Sequence, residues 1–357
     1  MPRRPACDRC SPRARPVCEK RTVAVDRAAA LVRDIEAIPS ALEACRTSVV
    51  APGDRRPGRQ IRRVVLTGLG SSRFAALVAA SAFRAAGLEV IVEPASTDTP
   101  DPSDADTLVV AISSSGRTPE TVAAAERHRG RAQVVALTHE PESPLARAAD
   151  ATIRLPIAAE ASGIATTSYV ATVAVLLRLA AALGPRRAGA PDAAVSIGRA
   201  ALAVRELLAA RASWLGETLA ALGDAEAVAV LAPAGSIGVA EQAALLFREG
   251  PRLGAVAFET AEWLHVGIYT ALPGSVAILL AGSPSDAEVV RTVLGRSGRV
   301  VAVGAPVPGA AAVVPGSHDV GDPDAHRLAE IVGPALLAAE LWRAIPGGPS
   351  AGRAGLG

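Results

Sequence analysis

The pattern that most restricts the fold is a series of short apolar runs that do not alternate with polar residues. Four of them, VVLTGLG, LEVIVEP, DTLVVAIS and AQVVALTH, lie between residues 64 and 139, separated by segments of helical spacing or loop composition. A strand that is apolar on both sides is buried on both faces, and intervening helices supply the cover. The sequence therefore predicts an α/β fold built on a parallel sheet.

A later stretch repeats this order of elements. SVAILLAGSPSDAEVVRTVLGRSGRVVAVGAP, residues 275–306, reproduces the strand, polar turn, helix, glycine and strand of residues 107–138. The 357 residues are also enough for two domains of about 150 residues each. We therefore expect two tandem, doubly wound, parallel-sheet units.

The predicted organisation has two units, two connecting segments and two ends. The Arg/Pro-rich start and the Gly-rich end are expected to be disordered because they carry few apolar residues. The boundaries are 1–22 for the leader, 23–62 for a helix and loop, 63–185 for the first unit, 186–223 for a linker and long helix, 224–345 for the second unit, and 346–357 for the tail.

Composition argues against several functional classes. The formal net charge of +2 is too small for a nucleic-acid-binding surface, so no nucleic-acid partner is expected. The sequence lacks a signal-peptide pattern and an uncharged apolar stretch long enough for a membrane helix, so we expect a cytoplasmic protein with no membrane partner. The single lysine, Lys20, lies in the leader. Lysine-imine and pyridoxal-phosphate chemistry are therefore not expected, and no cofactor is predicted.

Three cysteines, Cys7, Cys10 and Cys18, crowd the leader. A C-x-x-C pair with a third cysteine could contribute to a zinc site, but no nearby histidine or fourth cysteine completes a tetrahedral set. A disordered leader is the favoured interpretation, and no metal site is predicted.

The segment AISSSGRTPE, residues 111–120, places hydroxyl groups directly behind a buried strand. A turn that opens a helix presents unpaired N–H groups and the positive end of the helix dipole, and both attract anions. Ser113, Ser114, Ser115 and Thr118 can donate to phosphate oxygens, and Gly116 permits a positive φ. The alternative is an ordinary helix cap. The matching turn of the second unit, AGSPSD, carries an acid and fewer hydroxyls, so the two turns need not have the same function.

A second hydroxyl-bearing turn, TGLGSSR, follows the first strand and brings Ser71 and Ser72 to another helix start. In a doubly wound sheet, both turns can border one crevice at the point where the strand order reverses. The glycines partly fit a dinucleotide motif, and Glu93 partly imitates its ribose-binding acid. Because the third glycine of G-x-G-x-x-G is missing, nucleotide binding is only a minor alternative.

These two turns, together with EASGIATTSYVATVAVLL, resemble the sugar isomerase (SIS) domain. The doubled arrangement resembles the isomerase half of glucosamine-6-phosphate synthase, over roughly residues 23–345. The resemblance implies two flavodoxin-like sheets and a sugar-phosphate ligand. It assigns the phosphate to Ser72, Ser113, Ser114, Ser115 and Thr118, and sugar contacts to Ser71, Gly116 and Ile164.

The resemblance continues in AEQAALLFREGPRLGAVAFETAEWLHVG in the second unit, and it implies that Glu249 and His265 are catalytic. Moving a carbonyl between adjacent carbons requires a base that carries a proton, and ring opening requires a group that titrates near neutral pH. A solvated helix-end acid and a surface histidine are the alternatives. A metal held by Glu262 and His265 would have only two ligands, so it is not favoured.

Two departures from the synthase narrow the expected function. The sequence has no glutaminase domain with a cysteine at position 2, and the synthase's lysines are missing. The resemblance then implies an isomerase, deaminase or deglycase that acts on a ketose, aldose or amino sugar phosphate. We expect a homodimer with shared active sites. A non-catalytic sensor or regulator is the alternative, and it is favoured if Glu249 and His265 do not converge on the Ser113–Thr118 turn.

Overall fold

The computed structural model describes residues 26–48, 50, 60–184, 192–316 and 321–345. The predicted leader and tail, and with them Cys7, Cys10 and Cys18, lie outside the described residues.

The described residues form strands and helices that alternate along the chain. The strands are β1 (Arg63–Gly68), β2 (Glu89–Pro94), β3 (Thr107–Ile112), β4 (Gln133–Thr138), β5 (Ala151–Arg154), β6 (Ala227–Ala232), β7 (Gly254–Glu259), β8 (Val276–Leu280), β9 (Arg299–Gly304) and β10 (Ala312–Pro315). The helices are α1 (Arg27–Glu36), α2 (Ile38–Thr47), α3 (Ser71–Ala85), α4 (Pro119–His128), α5 (Pro144–Ala148), α6 (Thr167–Leu183), α7 (Ala193–Ala209), α8 (Arg211–Leu222), α9 (Ile237–Glu249), α10 (Thr260–Glu262), α11 (Asp286–Gly295), α12 (Pro323–Glu330) and α13 (Val332–Ala344).

The strands form two sheets in which every pairing is parallel. The strand orders are β2-β1-β3-β4-β5 and β10-β9-β8-β6-β7. When the second sheet is read from β7, the two orders are the same, so the duplication seen in the sequence is also a duplication of topology. The predicted pair of doubly wound α/β units is confirmed. The order reverses between β1 and β3 in one sheet and between β6 and β8 in the other, and such a point opens a crevice at the carboxyl edge.

Complete burial explains why β3 has no polar alternation, since all six of its residues are buried. One cluster of buried apolar residues includes residues of α1, α2, α3 and α6 on one face of the first sheet. This cluster continues into α9, α13 and the second sheet. A separate cluster lies under α4 and α5 on the opposite face. The first sheet is thus covered on both faces, and one continuous apolar core joins the two units.

The contact between the units is close at Gly238 on α9. A Cβ at this position would overlap the carbonyl oxygen of Phe74 and come within 2.8 Å of Val78 Cγ2, both on α3. The Tyr169 hydroxyl donates to the Gly238 carbonyl at 3.2 Å, and Gln242 Nε2 donates to the carbonyl of Ala165 at 2.7 Å. These contacts fix α9 against the first unit.

Three details differ from the sequence-based expectation. The single helix expected within residues 23–62 is divided into α1 and α2, and Pro39 lies in the first turn of α2, where its missing N–H costs no hydrogen bond. The long helix expected around residues 193–222 is divided at Ala210, whose carbonyl accepts both the N–H and the hydroxyl of Ser213. The edge strands β7 and β10 are not evident from the sequence.

Candidate functional site

The turn after β3 is shaped by Gly116, which has a φ of +62°. A Cβ at this position would overlap Ser143 Oγ and Cβ and lie 2.9 Å from Thr138 Oγ1. Ser113 is buried, and its hydroxyl lies 3.0 Å from that of Thr118. Thr118 is the N-cap residue of α4 by position, but its side chain makes no capping hydrogen bond. The hydroxyls therefore bind each other across the turn and do not cap the helix.

In this turn, the carbonyl oxygen of Ser114 is hydrogen-bonded within the protein, whereas several backbone N–H groups are not hydrogen-bonded to any described residue. Ser114 O accepts hydrogen bonds from Thr138 Oγ1 and from the N–H of His139, both at 3.0 Å. In the described part of the chain, the N–H groups of Ser114, Ser115 and Thr118 have no hydrogen-bond acceptor. A group of free amides at the start of a helix binds anions, and the hydroxyls add further donors. The turn is therefore suited to a phosphate.

The turn after β1 lies directly beside the first one. A Cβ on Gly68 would be 2.8 Å from Ser72 Cβ and 3.0 Å from the carbonyl oxygen of Ile112, at the end of β3. Gly70 has a φ of +51°, and no side chain caps α3. Ser71 and Ser72 are half-buried. Because β1 and β3 flank the point of order reversal, both hydroxyl turns border the same crevice.

The segment between β5 and α6 is held by two acids that sequence reasoning did not single out. Asp34 accepts a hydrogen bond from the N–H of Ser162 at 2.9 Å, and Glu160 accepts one from the N–H of Ser168, in the first turn of α6, at 2.6 Å. The predicted sugar contact Ile164 is only 2% exposed. Its side chain belongs to the core, so a ligand contact there would have to use its backbone.

Glu249 is the last residue of α9, and it is solvent-exposed. The surrounding protein bulk raises the pKa of its carboxyl above the ordinary value, while the charges of Arg248, Arg27 and Arg252 act to lower it. Arg27 Nε donates to the carbonyl of Ser162 at 3.0 Å. Arg27 thus links the Glu249 carboxylate electrostatically to the segment that follows β5.

His265 lies on the other side of the second sheet. It is exposed on the π-helical turn Trp263–Gly267. Trp263 packs in a cluster with Val289 of α11, whereas α9 packs in the core that is shared with the first unit. These clusters contain alternate residues of β6, which point to opposite faces of a sheet. Within one chain, therefore, Glu249 and His265 do not come together.

The turn of the second unit is occupied by its own side chain. Asp286, which takes the sequence position that Thr118 has in the first turn, is 8% exposed. Its Oδ2 accepts hydrogen bonds from the N–H groups of Gly282 at 2.7 Å and Ser283 at 3.1 Å. Burial raises the pKa of Asp286 although these bonds oppose the shift. The second turn thus supplies an internal anion where the first leaves its amides open.

Glu93, the acid that the nucleotide-binding alternative would use to bind the ribose, is buried beside Asp101 and His128. Glu93 is 7% exposed, accepts a hydrogen bond from the N–H of Asp101 at 3.3 Å, and lies 3.9 Å from His128 Nε2. Burial raises the pKa of its carboxyl. Because this side chain faces a buried histidine, the arrangement does not favour nucleotide binding.

Neither a metal site nor a membrane span is found in the described part of the chain. Over the described ranges, no three His, Cys, Asp or Glu side chains are placed to hold a metal ion. Over the same ranges, no helix has the length and apolarity needed to span a membrane.

Comparison with known proteins agrees with this geometry. Residues 59–182, which include both hydroxyl turns, match the SIS domain family. No curated protein matches the chain in sequence. The predicted resemblance to the SIS domain is confirmed over these residues of the first unit.

Solved structures extend the likeness to the whole chain. The C-terminal domain of glucosamine-fructose-6-phosphate aminotransferase from Francisella tularensis is 15% identical with a TM-score of 0.72, covering 88% of this chain and 96% of that one. Glucosamine-6-phosphate deaminase from Thermotoga maritima is 19% identical with a TM-score of 0.68, covering 89% and 96%. Tagatose-6-phosphate ketose/aldose isomerase from Escherichia coli is 19% identical with a TM-score of 0.67, covering 87% and 92%. The resemblance to the isomerase half of glucosamine-6-phosphate synthase is thus confirmed as a similarity of fold.

Proposed function

We propose that the protein is an enzyme that isomerises or deaminates a sugar phosphate, whose phosphate binds at the hydroxyl turns of the first unit. The observation that carries this proposal is the set of open amides at Ser114, Ser115 and Thr118, placed beside the β1 turn at the point of order reversal. The names of the structural neighbours, which include an isomerase, a deaminase and an aminotransferase domain, support this class of substrate.

The binding roles follow from the positions of the donors. The phosphate would accept hydrogen bonds from Ser72 and from the turn after β3, through the Ser113, Ser114, Ser115 and Thr118 side chains and the open amides. Gly116 allows this close approach. The sugar carbons would lie beside Ser71 and the backbone of Ile164, since the Ile164 side chain is buried.

The proposed chemistry is a proton transfer between neighbouring carbons. In the isomerase case, Glu249 takes the proton from C2 of the open-chain aldose while O1 takes a proton from solvent, which gives the enediol. Glu249 then returns its proton to C1 while O2 loses its hydroxyl proton to solvent, which gives the ketose. A carboxyl whose pKa is raised is a better base than an ordinary glutamate. His265 would assist ring opening, and because it lies on the far face of its own second sheet, it would have to come from a second copy of the chain. We therefore propose a homodimer with shared sites.

The proposal is tested by nuclear magnetic resonance in deuterated water with fructose 6-phosphate, glucose 6-phosphate and glucosamine 6-phosphate. Enediol chemistry exchanges a carbon-bound proton for deuterium, even when net conversion is slow. We expect exchange with at least one compound, loss of exchange in Glu249→Gln with binding retained, and loss of binding in Ser113→Ala with Thr118→Ala. The matched control, Ser283→Ala with Ser285→Ala in the filled turn of the second unit, should leave both unchanged.

The outcomes separate the two candidate functions. The intrachain separation of Glu249 and His265 favours, as the second candidate, a sensor that binds the sugar phosphate without turning it over. Binding that depends on Ser113 and Thr118 without any exchange would identify the sensor. Both candidates are wrong if the three compounds bind the Ser113/Thr118 variant as tightly as they bind the wild type. They are also wrong if none of the compounds binds the wild type or the variant.

A further inference from the structure

Arg27 is the first residue of α1, and the helix itself does not explain why an arginine is placed there. A positive charge in the first turn of a helix opposes the helix dipole, so it does not stabilise α1. The side chain instead donates from Nε to the carbonyl oxygen of Ser162, at 3.0 Å and 135 positions further along the chain. Arg27 therefore makes its polar contact outside its own helix.

Ser162 belongs to a backbone segment whose polar groups have several partners. Its N–H donates to Asp34 Oδ2 at 2.9 Å, and its hydroxyl accepts a hydrogen bond from the N–H of Ile164 at 3.1 Å. Arg27 supplies the donor for the Ser162 carbonyl. Arg27 Nη2 also lies close to Gly163, since a Cβ on that glycine would be 3.5 Å from it. The guanidinium thus helps to fix the segment that would contact the sugar at Ile164.

A second set of contacts places the guanidinium near the end of α9. Arg27 Cζ lies 5.7 Å from the centre of the Trp342 ring on α13, a distance typical of a cation–π contact. Trp342 is buried, and a Cβ on Gly250, the residue after Glu249, would lie 3.3 Å from Trp342 Cε3. One tryptophan therefore contacts both Arg27 and the residue next to the proposed base.

The charge of Arg27 also acts on the Glu249 carboxylate. The surrounding protein raises the pKa of this carboxyl, and the charges of Arg248, Arg27 and Arg252 act to lower it, which favours the basic form. The charged residues of α13, which packs against α9, pair with each other at 3.0 Å: Glu340 and Arg343. Of the three arginines, Arg27 is the one that, within the described residues, also donates to the Ser162 carbonyl.

We propose that Arg27 is a positioning residue for the reaction: its guanidinium holds the Ser162–Ile164 backbone and the Glu249 carboxylate in a fixed relation, so that a sugar held by the first faces the second. This inference rests on the proposed function, because it takes Glu249 as the base and Ile164 as a sugar contact. Proton transfer is sensitive to such an arrangement, since a displacement of about 1 Å can slow a reaction by about 10²-fold.

Three variants separate the charge of Arg27 from its geometry. Arg27→Gln removes both the charge and the guanidinium. Arg27→Lys keeps the charge but loses the planar group that faces Trp342 while donating from the Nε position to Ser162. Arg33→Gln is the matched control, because Arg33 is exposed on the same helix and is not among the charges that act on Glu249. Both arginines are solvent-exposed, so all three variants should remain folded, which circular dichroism checks.

The first measurement needs no substrate. Protein labelled with carbon-13 at the glutamate carboxyls is titrated by NMR, and Glu249→Gln assigns the Glu249 signal. We expect a higher pKa for Glu249 in Arg27→Gln, because a positive charge that favours the carboxylate is gone, and the wild-type value in Arg27→Lys and Arg33→Gln. A Glu249 pKa that is the same in Arg27→Gln as in the wild type, or that rises equally in Arg33→Gln, would overturn the inference.

The second measurement is the pH profile of deuterium exchange with whichever of the three sugar phosphates the wild type exchanges. Arg27→Lys should lower kcat at least about tenfold at every pH, with KM changed less because the hydroxyl turns are intact, and should keep the midpoint of the acid limb. Arg27→Gln should lower kcat as much and also move this limb to higher pH. Arg33→Gln should do neither.

The outcomes distinguish the inference from the function on which it rests. A wild-type protein that exchanges none of the three compounds would refute the proposed enzymatic function, and with it a role of Arg27 in the reaction. A wild-type protein that exchanges, with both Arg27 variants equally fast and with an unmoved acid limb, would refute the inference alone.

Discussion

Replacing Gly116 by alanine tests the backbone geometry of the hydroxyl turn after β3. Two separate costs arise. Gly116 has a φ of +62°, and a non-glycine residue in this region costs about 1–2 kcal/mol. The added Cβ also overlaps Ser143, which is 1% exposed and cannot move aside, and approaches Thr138 Oγ1 to 2.9 Å. Such overpacking costs about 1–3 kcal/mol. We expect Gly116→Ala to lower the free energy of unfolding by about 2–5 kcal/mol before any gain from the unfolded state.

Gly87 provides the matched control, because it has a φ of +82° after the C-terminal end of α3 but no atom lies within 4 Å of the place that an added Cβ would take. Alanine also reduces the entropy of the unfolded chain, by about 0.4–1 kcal/mol at either site, and this gain cancels in the comparison. The difference between Gly116→Ala and Gly87→Ala therefore isolates the steric cost, about 1–3 kcal/mol.

The assay is urea unfolding followed by far-ultraviolet circular dichroism, without ligand. A double-mutant cycle with Ser143→Gly, which removes the two overlapping atoms, should recover most of the steric cost. If Gly116→Ala and Gly87→Ala are equally destabilised, or if Ser143→Gly recovers nothing, then the contact between Gly116 and Ser143 does not restrict this turn.

Four further predictions address other parts of the molecule. Gly238→Ala should destabilise the protein by about 1–3 kcal/mol because its Cβ would separate α9 from α3, whereas Gly216→Ala on α8, which meets nothing within 4 Å, should have no such cost; equal urea midpoints would contradict this. Thr118→Asp should fill the first turn from inside, as Asp286 fills the second, so calorimetry should show loss of fructose 6-phosphate binding with the fold retained, and normal binding would refute it. Burial lowers the pKa of His128, so the unfolded chain binds a proton that the folded chain does not; unfolding free energy should fall as pH drops below about 6.5, and an equal fall in His128→Gln would count against this origin. Burial raises the pKa of Cys45 to about 12, so mass spectrometry should find it unmodified by iodoacetamide at pH 8 in the folded protein and alkylated in urea; rapid native alkylation would contradict its burial.

The sequence is informative where one local pattern determines the outcome. The positions of both glycine-containing hydroxyl turns at strand ends could be predicted, because an unbroken apolar run indicates a buried parallel strand and therefore where that strand ends. The strands β7 and β10 do not stand out because β10 has four residues and β7 exposes Val256, so neither gives such a run. The roles of Asp34 and Glu160 depend on tertiary contacts: Asp34 and Ser162 are 128 positions apart, and no local pattern pairs them.

The position of Thr118 shows how local and tertiary effects compete. A threonine before a proline at a helix start predicts a side-chain cap, and the residue does occupy the N-cap position. Its hydroxyl instead faces Ser113, which is fixed by the buried end of β3. Sequence rules thus locate the residue correctly but not its hydrogen-bond partner. The same limit applies to Ile164, because a sequence does not tell whether a residue would contact a ligand with its side chain or its backbone.

The two units share a fold, but their equivalent turns differ chemically. Each sheet has the same strand order, so each produces a turn with free amides at the point where the order reverses. Such amides need an acceptor. In the second unit, Asp286 supplies it and the turn becomes a self-contained structural element. In the first unit, the equivalent residue is Thr118, which carries no charge, and the amides of this turn have no acceptor in the described part of the chain. A single side chain at the helix start therefore decides whether this duplicated turn closes on itself or remains available to a ligand.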